Sequence, residues 1–236
     1  MSRQILCLSG WGQKFNSLEF IFNEQAFDPF SILSLDYSQF NAVEDFFSFV
    51  KAQKFSPEIL VGWSLGGQLA VRLIEAKILK PKLLILIAPP FQLVKDARIQ
   101  AGMALATFKK FRDDFAAAPD KALKQFAILT AMNDRNAKEI AHNLDVNDKN
   151  FTQLVNWLDE LARFSCFDID LGDMPQTLYF QGAGDMIVPS IQAQYFKQRI
   201  KNLDVKIFLQ CGHAPQLNNE VDLRRIIVDF IQKNLF

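Results

Sequence analysis

Short apolar runs, each stopped by glycine, proline or a polar residue, recur along this chain and alternate with segments whose apolar residues repeat at helical spacing. The runs are Ile5 to Leu8, Ile32 to Leu35, Ile59 to Val61, Leu83 to Ala88 and Leu178 to Phe180. Apolar runs of this length read as strands covered on both faces, because a strand with one wet face alternates apolar with polar residues. A sixth run, Val205 to Leu209, does alternate, which predicts a strand near an edge. Helical patterns occupy Val43 to Phe55, Leu65 to Leu79, Ser190 to Ile200 and Val221 to Leu235. Strand–helix alternation predicts an α/β fold, a doubly wound, mostly parallel sheet. It is interrupted once, from Phe91 to Ser165, where helical periodicity continues without a strand. Pro119-Asp120 opens one helix there, through Leu123, Phe126, Ala127 and Leu129, and Leu154, Trp157, Leu158 and Leu161 mark another.

Composition narrows the function. Lys plus Arg and Asp plus Glu are 26 each, a net charge of zero, without the basic excess that phosphate binding demands, so nucleic acid is not an expected partner. The longest apolar run, Leu83 to Pro90, is far shorter than the roughly 18 to 20 residues that span a bilayer, and residues 1–30 show no export signal. A soluble cytoplasmic protein without membrane contact is expected, with Cys7, Cys166 and Cys211 as thiols since they form no C-x-x-C pair. Most of the 23 Phe are expected to fill the core, and a few to line an apolar pocket.

Gly62-Trp63-Ser64-Leu65-Gly66 lies between a strand and a helix, the setting in which G-x-S-x-G is a nucleophile elbow. Glycines flank the serine because side chains there would collide with neighbouring chain. The helix from Leu65 turns its amides toward the serine. A serine hydroxyl needs a base, and the chain has two histidines. His213, in Cys211-Gly212-His213-Ala214-Pro215, follows the strand at 205–209 and emerges at the carboxyl edge of the sheet, where open α/β sheets place their sites. His142 lies in the helical interruption and reads as a surface histidine. Asp185, in the glycine-bearing loop after the strand at 178–180, completes the order Ser, Asp, His, whereas Asp168, Asp170 and Asp173 precede that strand and emerge at the wrong edge. Oxyanion donors are expected from the backbone N–H of Leu65 and of Trp11, in the Gly10-Trp11-Gly12 loop after the first strand. The Trp11 side chain is also placed to wall a pocket.

Elbow, acid loop and histidine loop resemble the α/β-hydrolase superfamily over nearly the whole chain. Within it, Gly10-Trp11-Gly12, Gly62-Trp63-Ser64-Leu65-Gly66-Gly67, His213-Ala214-Pro215 and the helix from Lys121 to Leu129 resemble the pimeloyl-acyl-carrier-protein methyl ester esterases of biotin synthesis. The resemblance implies an α/β-hydrolase fold, with a core of residues 1–90 and 166–236 and a helical cap of residues 91–165. It implies a serine esterase in which Ser64 attacks the methyl ester, His213 shuttles the proton, Asp185 orients it, and Trp11, Leu65 and Phe126 hold the acyl chain. No cofactor or metal is implied. The partner implied is an acyl carrier protein, met by basic residues. The matching positions hold Lys121, Gln125, Lys138 and His142, with Lys124 adjacent, so Lys121, Lys124 and Lys138 are the candidate carrier contacts. The sequence departs from the family in three places: Ser9 stands where a histidine is common, Asp36-Tyr37-Ser38 lacks a glycine-rich turn, and, with four residues before the first strand, no N-terminal antiparallel hairpin is expected.

Charge within the helical stretch is uneven. Residues 95–138 carry net +4 and residues 139–165 net −3, a polarity that fits an acidic partner. A monomer is expected. Three other readings stay open on the sequence: a small-acyl carboxylesterase or thioesterase of broad specificity, a hydrolase-like binding protein without catalysis, and a proton-abstracting lyase or carbon–carbon hydrolase on the same scaffold.

Overall fold

The computed structural model describes residues 3–144 and 150–236. Six strands, β1 (Arg3–Leu8), β2 (Phe30–Ser34), β3 (Ile59–Trp63), β4 (Leu83–Ile87), β5 (Gln176–Gly182) and β6 (Leu203–Phe208), form one sheet in the order β2-β1-β3-β4-β5-β6. Every neighbouring pair is parallel, so the expected mostly parallel sheet is wholly parallel among the described strands.

Why the central runs are apolar throughout is visible in the side-chain directions. Successive residues of a strand point to opposite faces. Leu6, Leu8, Leu60, Leu84, Leu86 and Tyr179 enter one core, with helices α1 (Val43–Gln53), α2 (Leu65–Glu75) and, later in the chain, the helix Gln192–Arg199. Ile5, Cys7, Ile59, Val61, Leu83, Ile85 and Phe180 enter the other, against the 3-10 turns of residues 15–27 and the C-terminal helix Glu220–Leu235.

Among the described residues four α-helices stand between β4 and β5: α3 (Leu105–Ala117), α4 (Pro119–Thr130), α5 (Ala137–Asn143) and α6 (Phe151–Arg163). The expected stripe on α6 is buried at Leu154, Trp157, Leu158 and Leu161. The C-terminal third then adds α7 (Gln192–Arg199), the short α8 (Pro215–Asn218) and α9 (Glu220–Leu235). Among the described residues no helix is long and apolar enough to cross a membrane. Cys7, Cys166 and Cys211 are buried and free.

Several expectations need correction. The run at 32–35 belongs to an edge strand, half open to solvent, with Ile32 37% exposed. The helix expected to reach Leu79 stops at Glu75, because Lys77 turns left-handed at φ 59° and the N–H groups of Ile78 and Leu79 fold back onto the Leu73 carbonyl. In the same way α1 ends before Phe55 with Lys54 left-handed at φ 53°. Helix α7 starts at Gln192, not Ser190. The interruption is not wholly helical, since Gln92 bridges Ser165 and Val94 bridges Met103.

Candidate active site

Strand β3 delivers Ser64 at its carboxyl end, on the turn into α2, at φ 52° and ψ −118°. This backbone conformation costs about 1–3 kcal/mol for a residue with a side chain, and it persists because the surroundings dictate it. The Ser64 N–H donates to the Ile87 carbonyl on β4 at 2.8 Å, and the Ser64 carbonyl accepts from Gln68 N–H at 3.1 Å. A Cβ on Gly62 would lie 2.6 Å from the Gly66 carbonyl oxygen, and one on Gly66 would fall on the backbone of Leu8 and Ser9. The chain leaving β1 therefore passes directly across the first turn of α2.

The histidine loop brings His213 over that turn. Its Nε2 is 2.8 Å from the Ser64 Oγ and its Nδ1 is 2.6 Å from Asp185 Oδ2. The carboxylate at Nδ1 keeps the ring proton there and leaves Nε2 to accept from the serine hydroxyl. Three residues spread over 149 positions of the chain thus form one hydrogen-bonded line, all buried, with Ser64 5%, Asp185 7% and His213 1% exposed.

Asp185 is held from several sides. Oδ1 accepts from the N–H groups of Ile187 at 2.8 Å and Val188 at 2.9 Å, and Oδ2 accepts from Gln181 Nε2 at 2.7 Å besides the imidazole. Gln181 in turn accepts from the Tyr179 hydroxyl at 2.7 Å, whose ionisation burial pushes far up, so it stays a donor. The imidazole's own backbone is fixed too. Trp63 Nε1 donates to the His213 carbonyl at 2.9 Å, and His213 N–H donates to the Thr130 carbonyl at 2.9 Å.

The other expected residues fall as follows. Leu65, the first residue of α2, is buried, and its N–H belongs to the first helical turn, whose amides have no partner within the helix. Trp11 is 1% exposed and follows Gly10, where a Cβ would meet the Trp63 ring at 3.0 Å. Its indole N–H donates to the Leu154 carbonyl of α6 at 2.8 Å, and its ring meets Phe115 at 5.2 Å and Phe126 at 5.1 Å, edge to face. Trp11 and Phe126 are thus brought together. Lys121 and Lys124 on α4 and Lys138 on α5 are exposed, as is His142 on α5. No group of three or more His, Cys, Asp or Glu side chains suited to hold a metal occurs among the described residues.

Sequence reasoning missed Gln181, Thr130, Asn133 and Asp134. Gln181 left a trace, a polar residue closing the apolar run Leu178-Tyr179-Phe180, where burial requires a partner. The other three had none, because their contacts are with loops 51 to 83 residues away.

A pimeloyl-[acyl-carrier protein] methyl ester esterase of Aromatoleum aromaticum is 30% identical over 189 residues, 74% of this chain and 74% of that one. The protein of that name from Neisseria meningitidis is 29% identical over 194 residues, covering 79% and 73%. Among solved structures, an esterase from Exiguobacterium antarcticum superposes with a TM-score of 0.83 at 17% identity, over 98% of this chain and 92% of that one. A bromoperoxidase from Bacillus anthracis gives the same figures, TM-score 0.83 at 17% identity over 98% and 92%. At such identities the structural likeness is one of fold. The alpha/beta hydrolase family model matches residues 5–224, and with the strand order and the elbow already described, this chain belongs to the alpha/beta hydrolase family.

Proposed function

We propose that this chain is a serine carboxylesterase that hydrolyses the methyl ester of pimeloyl-acyl carrier protein, giving the free pimeloyl acid on its carrier and methanol. The observation that carries the reading is the line Ser64–His213–Asp185, with both imidazole nitrogens within hydrogen-bond distance of their partners. The relatives at about 30% identity, which bear that activity in their names, supply the substrate.

The chemistry follows from the geometry. Ser64 Oγ bonds to the ester carbonyl carbon as its proton passes to His213 Nε2, and Asp185 stabilises the imidazolium. The carbonyl oxygen becomes an oxyanion facing the N–H groups of Leu65 and Trp11. The C–O bond to the methoxy group breaks and the imidazolium returns the proton, releasing methanol and leaving an acyl-Ser64 ester. Water then adds to that ester as His213 takes its proton, and Ser64 leaves reprotonated. Trp11, Leu65 and Phe126 hold the acyl chain.

Residues 91–165 are the cap over the core of residues 1–90 and 166–236. Its α4 and α5 present Lys121, Lys124 and Lys138 to an acidic carrier, in agreement with the net +4 of residues 95–138. The test is incubation of the purified protein with pimeloyl-carrier methyl ester and mass analysis of the product. Free acid should form with the wild type and not with Ser64→Ala. Faster turnover of short p-nitrophenyl esters than of the carrier-bound ester would instead assign a general esterase. Growth of a biotin auxotroph lacking its methyl esterase, restored by the wild type alone, checks the pathway.

A further inference from the structure

The end of α4 and the turn after it reach out of the helical segment to the two loops that carry His213 and Asp185. The Thr130 carbonyl accepts from His213 N–H at 2.9 Å. Asn133 Nδ2 donates to the Gly184 carbonyl at 2.8 Å, next to Asp185. Arg135 Nε donates to Gln210 Oε1 at 3.0 Å. Asp134 Oδ1 accepts from Gly212 N–H at 2.6 Å, the residue before the imidazole. The fit leaves no room at Gly212, where a Cβ would stand 2.5 Å from the Met132 carbonyl oxygen and 2.8 Å from that of Thr130.

Asp134 is the unexpected member of this set. It is 9% exposed, and its Oδ2 is buried with no N–H or O–H donor among the described residues, only the Cys211 thiol beside it. The groups facing it are the Cys211 thiol and His213 on the histidine loop and Asp185 on the acid loop, while its neighbour Arg135 is exposed and engaged with Gln210. Burial pushes the Asp134 carboxyl up to about 6, with Asp185 adding to the rise, so its charge is held at a cost. Burial also pushes the Cys211 thiol up to about 12, so that group brings no competing charge. An asparagine would accept from Gly212 equally well and avoid the cost. A charge kept where a neutral isostere would serve the fold points to a use for the charge itself.

We infer that Asp134 is a positioning residue for His213: through Gly212 it fixes the loop that carries the imidazole, and its negative charge favours the imidazolium that forms when Ser64 attacks. The inference rests on the serine esterase reading. It gives the turn after α4 a direct part in the reaction, since withdrawal of that turn removes both the loop's fastening and the second carboxylate.

The chain has two histidines, so a His142→Gln background assigns the imidazole C–H signals in a proton NMR titration. In Asp134→Asn the His213 titration midpoint should fall by about half a pH unit or more. The acid limb of kcat/KM for p-nitrophenyl butyrate should move the same way, with the plateau reduced about three- to tenfold. The melting temperature at pH 8 should be equal or higher. Asp134→Glu, which keeps the charge, should bring the midpoint back toward the wild-type value. An unchanged midpoint and limb, with or without a lower melting temperature, would reduce Asp134 to a strut and overturn the inference. The wild type alone gives a second test that needs no variant. Its His213 signals should show an additional step near pH 6 as Asp134 takes up its proton, and a single step overturns the inference. Absence of ester turnover in the wild type would strike the esterase reading, while the NMR titration still decides the placement and charge of Asp134.

Discussion

The two ends of the hydrogen-bonded line are built in different ways. Ser64 is fixed within the sheet and its first helix: its N–H goes to β4, and the close approach of Gly62 and Gly66 to neighbouring backbone leaves the turn one shape. His213 and Asp185 sit on loops fastened from outside the sheet, by Thr130, Asn133 and Asp134 at the end of α4. The nucleophile is a local construction, and the base and acid are long-range ones. Loops held by a separate segment respond to how that segment docks, whereas an elbow wedged between strands does not.

The sharpest separation of the two ends comes from the chemistry itself. Ser64→Ala should lower kcat by at least about 10⁴-fold while leaving the melting curve nearly unchanged, because the turn's shape does not depend on the hydroxyl. Next in size is the latch between the sheet and the helical segment. Arg72 on α2 donates to Glu160 on α6 at 2.7 Å, with side-chain exposures of 15% and 8%, and lies over the Phe164 ring. Arg72→Met should cost roughly 1–3 kcal/mol in urea unfolding, since Glu160 loses its buried partner and keeps only the exposed Arg163, and changing Glu160→Met as well should recover most of it. Native-state hydrogen exchange gives the comparison its hardest test. In Arg72→Met the amides of Gly184, Gly212 and His213 should open sooner, and those of Ser64 and Gln68 should not. Equal acceleration at both ends would dissolve the distinction.

A smaller effect is expected inside the acid loop. Gln181→Leu removes one of the donors to Asp185 Oδ2 and the acceptor of the Tyr179 hydroxyl, and should reduce kcat about tenfold with KM little changed. Stability against pH follows from Asp134. Its carboxyl is raised from 3.8 to about 6 in the folded chain, so the stability its proton supplies is complete below about 3.8 and is lost as the pH climbs through 6. Asp134→Asn should therefore gain melting temperature relative to the wild type as the pH is raised from 5 to 8.

How much of this was legible in the sequence divides along the same line. The strand runs, their carboxyl-end loops and the G-x-S-x-G setting are local patterns, and they are enough to put Ser64, Asp185 and His213 at one rim of the sheet. Gly62 and Gly66 could be read because a tight turn writes its requirement into adjacent residues. Edge position was not read for β2, although Ser31 and Ser34 break up its apolar residues, and what leaves it half open is the lack of a neighbour beyond it. Helix ends at Gln53 and Glu75 depended on left-handed lysines, a conformation no lysine announces. Asp134 and Asn133 carry ordinary turn chemistry, and only the folded chain brings them beside Gly212 and Gly184.

Asn133 gives the finest test of the outside fastening, because one residue combines a backbone and a side-chain contribution that two substitutions separate. It is left-handed at φ 70° and exposed, and its amide donates to the Gly184 carbonyl at 2.8 Å. Asn133→Gly keeps the backbone shape and removes only that hydrogen bond, which at an exposed site is worth about 0.5–1 kcal/mol. Asn133→Ala removes it as well and adds the cost of a left-handed alanine, roughly 1 kcal/mol more. If the acid loop is fastened through this bond, both variants should lower kcat by the same factor, about two- to threefold, although their stabilities differ. If instead kcat tracks stability, falling further in the alanine variant, then it is the packing of the whole turn that matters, and the loop owes its position to the bulk of the helical segment rather than to this amide.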